Sequence, residues 1–266
     1  MTTEFLQLDE GRMAFEQAGT GGLPLVFLHG FACNRSFFAA QTAHFGARRR
    51  VVAIDFLGHG ESDTPEIEYR LPRFAADAAR LVEHLGLGEV VVVGHSMGGA
   101  VALELAATRP ELVRAAVSLD TTMVSSAERT NRVLPNMLQA LSGPHYLMAA
   151  RAFAGSLVLP SDGPEVKRHV EAVMSSPPRH VLTELTKALM AWNGPDALAR
   201  LRRPMLYVGS QNPLTSQAAI LAASPWVRYA QAAGSGHFLT LVVPEQVNLM
   251  LERWLAVLPS IEAEPQ

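Results

Sequence analysis

Cysteine is nearly absent from this chain. Cys33 is the only one in 266 residues, which excludes an internal disulfide framework and suits a reducing compartment. Long apolar runs are missing as well: no stretch reaches the ~20 apolar residues that a membrane-spanning helix needs. Residues 1–11 contain Glu4, Asp9 and Glu10 and no apolar core of signal-peptide length, so a cytoplasmic protein with no membrane partner is expected. Charge is sparse, at 18% of residues, and the formal net charge of −3 with a pI near 6.3 gives no electrostatic reason to expect nucleic acid. Arg48-Arg49-Arg50 is a short basic run that reads as a solvated turn before a strand. No His-Glu-x-x-His helix occurs, the histidines are scattered, and residues 55–62 lack a phosphate-loop lysine, so neither a metal nor a cofactor is expected. Internal repeats and low-complexity segments are also absent.

What is present is an apolar chain, 48% hydrophobic, long enough for one large α/β domain with an inserted lobe. Residues 5–8 and 12–18 read as an opening hairpin around Asp9-Glu10-Gly11. Further strands are expected at 25–28, 51–54, 90–93, 112–119, 205–209 and 227–231. Helices are expected near 37–45, 72–85, 100–108, 216–222 and 244–258. Strands separated by helices of this length imply right-handed crossovers, hence a mostly parallel, eight-stranded sheet covered by helices on both faces.

The alternation breaks after Asp120. From 121 to 194 only helical patterns appear, at 127–141, 145–154, 164–175 and 179–192, separated by Gly-Pro and Pro-Pro breakers. The expected division is therefore a core of 1–120 and 195–258, a helical cap of 121–194, and a frayed tail of 259–266. Met123, Met137, Met148, Met174 and Met190, with Tyr146, Phe153 and Trp192, would give the cap an adaptable apolar underside. Arg129, Arg132, Arg151, Arg168 and Arg179 leave room for a carboxylate-bearing substrate. On a helical lobe such side chains are ordinarily solvated, and a largely apolar substrate is expected instead.

The stretch that organises the chain is Val90-Val91-Val92-Val93-Gly94-His95-Ser96-Met97-Gly98-Gly99. A buried strand runs straight into a helix, with glycines on either side of a serine. Such a turn forces the serine into a tight backbone conformation and projects its hydroxyl beside a helix N-terminus that favours negative charge. That suits a nucleophile which must generate an oxyanion.

Together with His29-Gly30-Phe31, Asp55-x-x-Gly58-His59-Gly60-x-Ser62 and Gly236-His237-Phe238, in this order and with these separations, the elbow resembles that of the α/β-hydrolase fold family with a helical cap. The likeness covers nearly the whole chain. It implies Ser96 as nucleophile and His237 as its base, with the backbone N–H groups of Met97 and Phe31 as oxyanion donors. His29, Gly30, His95, Trp192 and Phe238 are expected around the substrate pocket, and His29 and His59 also read as loop organisers. The acid departs from the family pattern. Relatives usually carry an Asp in a Gly-x-x-Asp arrangement after the penultimate strand, and here that run is Gly209-Ser210-Gln211-Asn212. Asp120, after the strand that follows the elbow helix, is the expected third member, with Asn212 as the alternative. The fold hosts many chemistries. The expectation is a serine hydrolase of a small or medium, largely apolar ester or lactone. Carbon–carbon bond hydrolysis, cofactor-free perhydrolysis and a non-catalytic ligand-binding role are the alternatives.

Overall fold

Alternation along the strands sorts each side chain into one of two apolar layers, and the central valine run shows how. Val90 and Val92 enter one layer, Val91 and Val93 the other, and all are fully buried. Each contributes roughly 1.5–3 kcal/mol relative to exposure. The computed structural model describes residues 2–261. Its strands are β1 (Glu4–Leu8), β2 (Gly11–Ala18), β3 (Leu25–Leu28), β4 (Val51–Ile54), β5 (Val90–His95), β6 (Val113–Leu119), β7 (Met205–Gly209) and β8 (Val227–Gln231). They form one eight-stranded sheet in the order β1-β2-β4-β3-β5-β6-β7-β8. The β1–β2 and β2–β4 pairs are antiparallel and all others parallel. This is the mostly parallel, eight-stranded sheet that the sequence led one to expect.

Helices α1 (Ala39–Gly46), α2 (Leu71–His84) and α3 (Met97–Thr108) connect the first parallel strands. Between β6 and β7 lie α4 (Leu134–Ser142), α5 (Tyr146–Ser156), α6 (Pro164–Met174), α7 (Arg179–Ala191) and α8 (Gly194–Arg200). The chain then continues with α9 (Gln217–Ala223), α10 (Leu239–Val242) and α11 (Pro244–Ile261). Among the described residues no helix is long and apolar enough to cross a membrane.

Several helix boundaries differ from expectation, for local reasons. The helix expected at 127–141 begins as a π-turn, Arg129–Val133, closed by the Leu134 N–H on the Arg129 carbonyl. Pro135, in the first turn of α4, has no N–H to give to the preceding turn, and its ring crowds the carbonyl four residues back. Helix α7 stops at Ala191, one residue short, because Trp192 turns extended. Helix α8 was not expected: Gly194-Pro195 reads as a breaker but serves as a start. Asn193 caps it by accepting from the Asp196 N–H at 3.2 Å, and proline suits a first turn, whose N–H groups lack intrahelical partners anyway. Helix α11 runs to Ile261 rather than ending at 258, and the rest of the expected frayed tail, 262–266, lies outside the described residues.

Candidate active site

Parallel neighbours end on the same side, so the loops after β5, β6, β7 and β8 converge at one edge of the sheet. Ser96 follows β5 directly, with φ 54° and ψ −119°. A non-glycine residue in this region stores about 1–3 kcal/mol of strain. The surroundings hold it there. The Ser96 N–H donates to the Leu119 carbonyl at 2.9 Å, and the Ser96 carbonyl accepts from the Gly99 N–H at 2.9 Å and the Thr121 hydroxyl at 2.8 Å. The flanking glycines are sterically required, since a Cβ on Gly94 would lie 2.0 Å from the Gly98 carbonyl oxygen and one on Gly98 2.0 Å from that of Leu28. The Met97 N–H opens α3 and has no intrahelical acceptor.

Asp120 follows β6, also at positive φ, 47°, and is 1% exposed. Its Oδ1 accepts from the Ser210 and Leu214 N–H groups at 3.2 and 3.1 Å. Its Oδ2 lies 2.8 Å from His237 Nδ1, 117 residues away in sequence. Burial acts to raise the Asp120 pKa. The hydrogen bond and charge of His237 and the two backbone donors outweigh it, holding the carboxylate below its ordinary range. A carboxylate can only accept, so His237 carries its proton on Nδ1 and leaves Nε2 with a free lone pair. Asn212 is exposed, and the side-chain partner of His237 Nδ1 is Asp120 rather than Asn212. The loop that holds it contributes backbone donors to Asp120 instead.

A cavity of about 340 Å³ opens over this edge, lined on the sheet side by Gly30, Phe31, Cys33, His95, Ser96, Met97, His237 and Phe238. Its other wall comes from the segment between β6 and β7, including Met123, Arg129, Phe153, Met174, Met190 and Trp192. Met137 is buried but does not line it, and Met148 is 68% exposed. Among the described residues Ser96 Oγ makes no hydrogen bond.

The remaining histidines separate cleanly. His95 lines the cavity, with Nε2 2.8 Å from the His237 carbonyl oxygen and its ring 4.7 Å from the His237 ring. Burial pushes its pKa down to about 3, so it stays neutral. His29 corrects an expectation, because it does not line the cavity. It lies fully buried behind it, with Nδ1 2.8 Å from the Gly30 carbonyl oxygen and Nε2 accepting from the Phe56 N–H at 3.1 Å. Residues 55–62 are likewise absent from the lining. Asp55 there binds the Arg35 guanidinium and the Glu61 N–H, and Ser62 ties the loop to β2 through the Ala14 N–H. Cys33 is a buried filler whose thiol pKa burial pushes up.

One positioning residue went unnoticed in the sequence. Asp162, 7% exposed, accepts from the Gly236 N–H at 2.9 Å with one oxygen and from the Leu159 N–H at 2.8 Å with the other. It therefore clamps the loop that carries His237 to the helical segment. Nothing in its local sequence announces this, since the partners lie 74 residues apart.

A family model described as alpha/beta hydrolase fold matches residues 24–242. Among curated proteins, the chain is 36% identical over 117 residues to 2-(acetamidomethylene)succinate hydrolase of Mesorhizobium japonicum, covering 44% of this chain and 42% of that enzyme. It thus spans less than half the length of that relative. It is 26% identical over 271 residues to (E)-2-((N-methylformamido)methylene)succinate hydrolase of Acinetobacter baylyi, covering 97% and 100% of the two chains. Among solved structures, Est816, described as an N-acyl homoserine lactone degrading enzyme, superposes with a TM-score of 0.82 at 27% identity, over 94% of this chain and all of that one (100%).

Proposed function

The chain belongs to the α/β-hydrolase fold family, and from that premise we propose that it is a serine hydrolase. In this reading it cleaves a small to medium carboxylic ester or lactone through an acyl-enzyme. The observation that carries the reading is the 2.8 Å His237–Asp120 contact beside a strained Ser96 that lines the same cavity. Ser96 Oγ attacks the acyl carbon while His237 Nε2 takes its proton. Asp120 keeps the imidazole in the required tautomer and compensates the charge of the imidazolium. Negative charge on the carbonyl oxygen is met by the Met97 and Phe31 N–H groups. Collapse expels the alcohol, protonated by His237, and a water activated by the same ring releases the acid. His95 supports the ring from behind by donating to the His237 carbonyl. No step calls for a cofactor.

The cavity volume lies near the lower end of the roughly 300–1,000 Å³ usual for ligand pockets, which favours short acyl groups. Names of relatives add breadth rather than a substrate: two are hydrolases of succinate derivatives and one degrades a lactone. A carboxylate rather than an amide hydrogen-bonds His237, which supports turnover over the ligand-binding alternative.

Turnover of p-nitrophenyl esters of increasing acyl length tests the proposal, with Ser96→Ala as control and fluorophosphonate labelling as a readout independent of substrate choice. Labelling of the wild type but not of Ser96→Ala, with short esters turned over fastest, is the expected outcome. A wild-type protein that neither labels nor outpaces the variant would refute it.

A further inference from the structure

The cavity holds a cation with no counter-charge. Arg129 lines it, and no Asp or Glu does. Among the described residues the Arg129 guanidinium takes part in no ion pair or hydrogen bond, although its backbone is well fixed. Its N–H donates to Ser126 Oγ at 3.2 Å, and its carbonyl closes the π-turn. The other arginines of the helical segment behave differently. Arg132 pairs with Glu128 and Arg168 with Glu165 on their own helices, while Arg151 and Arg179 are exposed. A second polar group shares the situation: the Thr122 hydroxyl lines the same cavity, buried and without a partner. Burial also lowers the Arg129 pKa from its ordinary value, in keeping with a half-buried, partly desolvated guanidinium that still carries its charge at neutral pH. Desolvating an unpaired charge is unfavourable unless something completes it. In a cleft beside a nucleophile, the natural complement is part of the substrate.

We infer that Arg129 binds a carboxylate on the substrate, so that the preferred substrates are half-esters and related acid-bearing acyl compounds rather than wholly neutral esters. The inference rests on the serine hydrolase reading for the identity of the reacting end and adds the chemistry of the far end. A carboxylate on the Arg129 side would orient a short apolar chain across the cavity, leaving the scissile carbonyl at Ser96. A planar guanidinium suits this task because it can give parallel hydrogen bonds to both carboxylate oxygens.

Binding separates this inference from the catalytic one. Calorimetry on Ser96→Ala, which cannot turn substrate over, would compare monomethyl adipate with dimethyl adipate. The two probes share the reacting methyl ester and the chain and differ at the far end, a free carboxylate in one and a second methyl ester in the other. The half-ester should bind at least about tenfold more tightly, in the range of a charge-assisted hydrogen bond. Adding Arg129→Gln should abolish the preference, and Arg129→Lys should restore part of it if the variant keeps its charge. Equal binding of the two esters to Ser96→Ala, or a preference that survives Arg129→Gln, would overturn the inference. Loss of fluorophosphonate labelling in the wild type with the half-ester preference intact would instead overturn only the hydrolase reading.

Discussion

Replacing Asp120 with Asn changes one atom and should nevertheless cripple the site, because the surroundings dictate which way the new amide faces. Two backbone donors, the Ser210 and Leu214 N–H groups, point at Oδ1 at 3.2 and 3.1 Å. The amide oxygen must stay there, or an NH₂ group would face two N–H groups in a buried site. The NH₂ therefore takes the Oδ2 position, 2.8 Å from His237 Nδ1. Facing a donor, Nδ1 gives up its proton and becomes an acceptor, so the proton moves to Nε2. The base that should receive the Ser96 proton is then already occupied. By analogy with the same change in serine proteases, kcat should fall about 10⁴-fold, or about 5 kcal/mol of transition-state stabilisation. The assay is kcat on a short p-nitrophenyl ester, paired with circular dichroism to show that the fold survives. A loss smaller than about tenfold would mean that Asp120 does not orient His237, and the reasoning from amide orientation would fail. Asn212→Ala is the counterpart: the residue is exposed, and kcat should stay within about twofold.

Two further outcomes follow from packing and burial. Gly98→Ala would set a Cβ 2.0 Å from the Leu28 carbonyl oxygen and 2.5 Å from that of His29, backbone atoms that cannot move aside. Chemical denaturation should show a loss of about 3 kcal/mol or more, and a loss below about 1 kcal/mol would contradict the close approach. Acid should destabilise the fold through His29, His59 and His95, whose pKa values burial lowers to about 3. Below about pH 6.5 the unfolded chain binds protons at these rings and the folded chain does not, so each removes up to about 1.4 kcal/mol per pH unit on acidification. Asp120, with its depressed pKa, acts in the same direction, its contribution being lost as pH falls through its folded value. The melting temperature should drop steadily below about pH 6.5, and a level profile down to about pH 4.5 would contradict this account.

The strands were legible because each is a short apolar run bounded by turn residues, and a parallel sheet buried on both faces needs that pattern. The Ser96 elbow was legible for a related reason: strand, serine and helix are contiguous, so the strain and the glycines that permit it all sit within one decapeptide. Helix ends were less so. Pro135 loosened one start into a π-turn, while Asn193-Gly194-Pro195-Asp196 made a start out of residues that look like a stop. The signal for the second was present, a side-chain cap followed by proline in the first turn, but Gly-Pro read locally outweighs it.

The partner of His237 was of another kind. The sequence offered Asp120 as the expected partner and Asn212, at the position of the family's usual acid, as the alternative, and strand order brings Asp120 to the ring. Because β6 lies between β5 and β7, its end is the point from which one carboxylate can reach both the β7 loop amides and the imidazole after β8. The same holds for Asp162, which grips the His237 loop, and for Arg129 in the cavity, neither of which carries a mark of its placement in its neighbours along the chain. Hydrophobic periodicity and turn chemistry act over a few residues, so the sequence by itself determined the sheet, most of the helices and the Ser96 turn. Hydrogen bonds and counter-charges depend on which distant ends the sheet brings to one edge, and that was left to the tertiary structure.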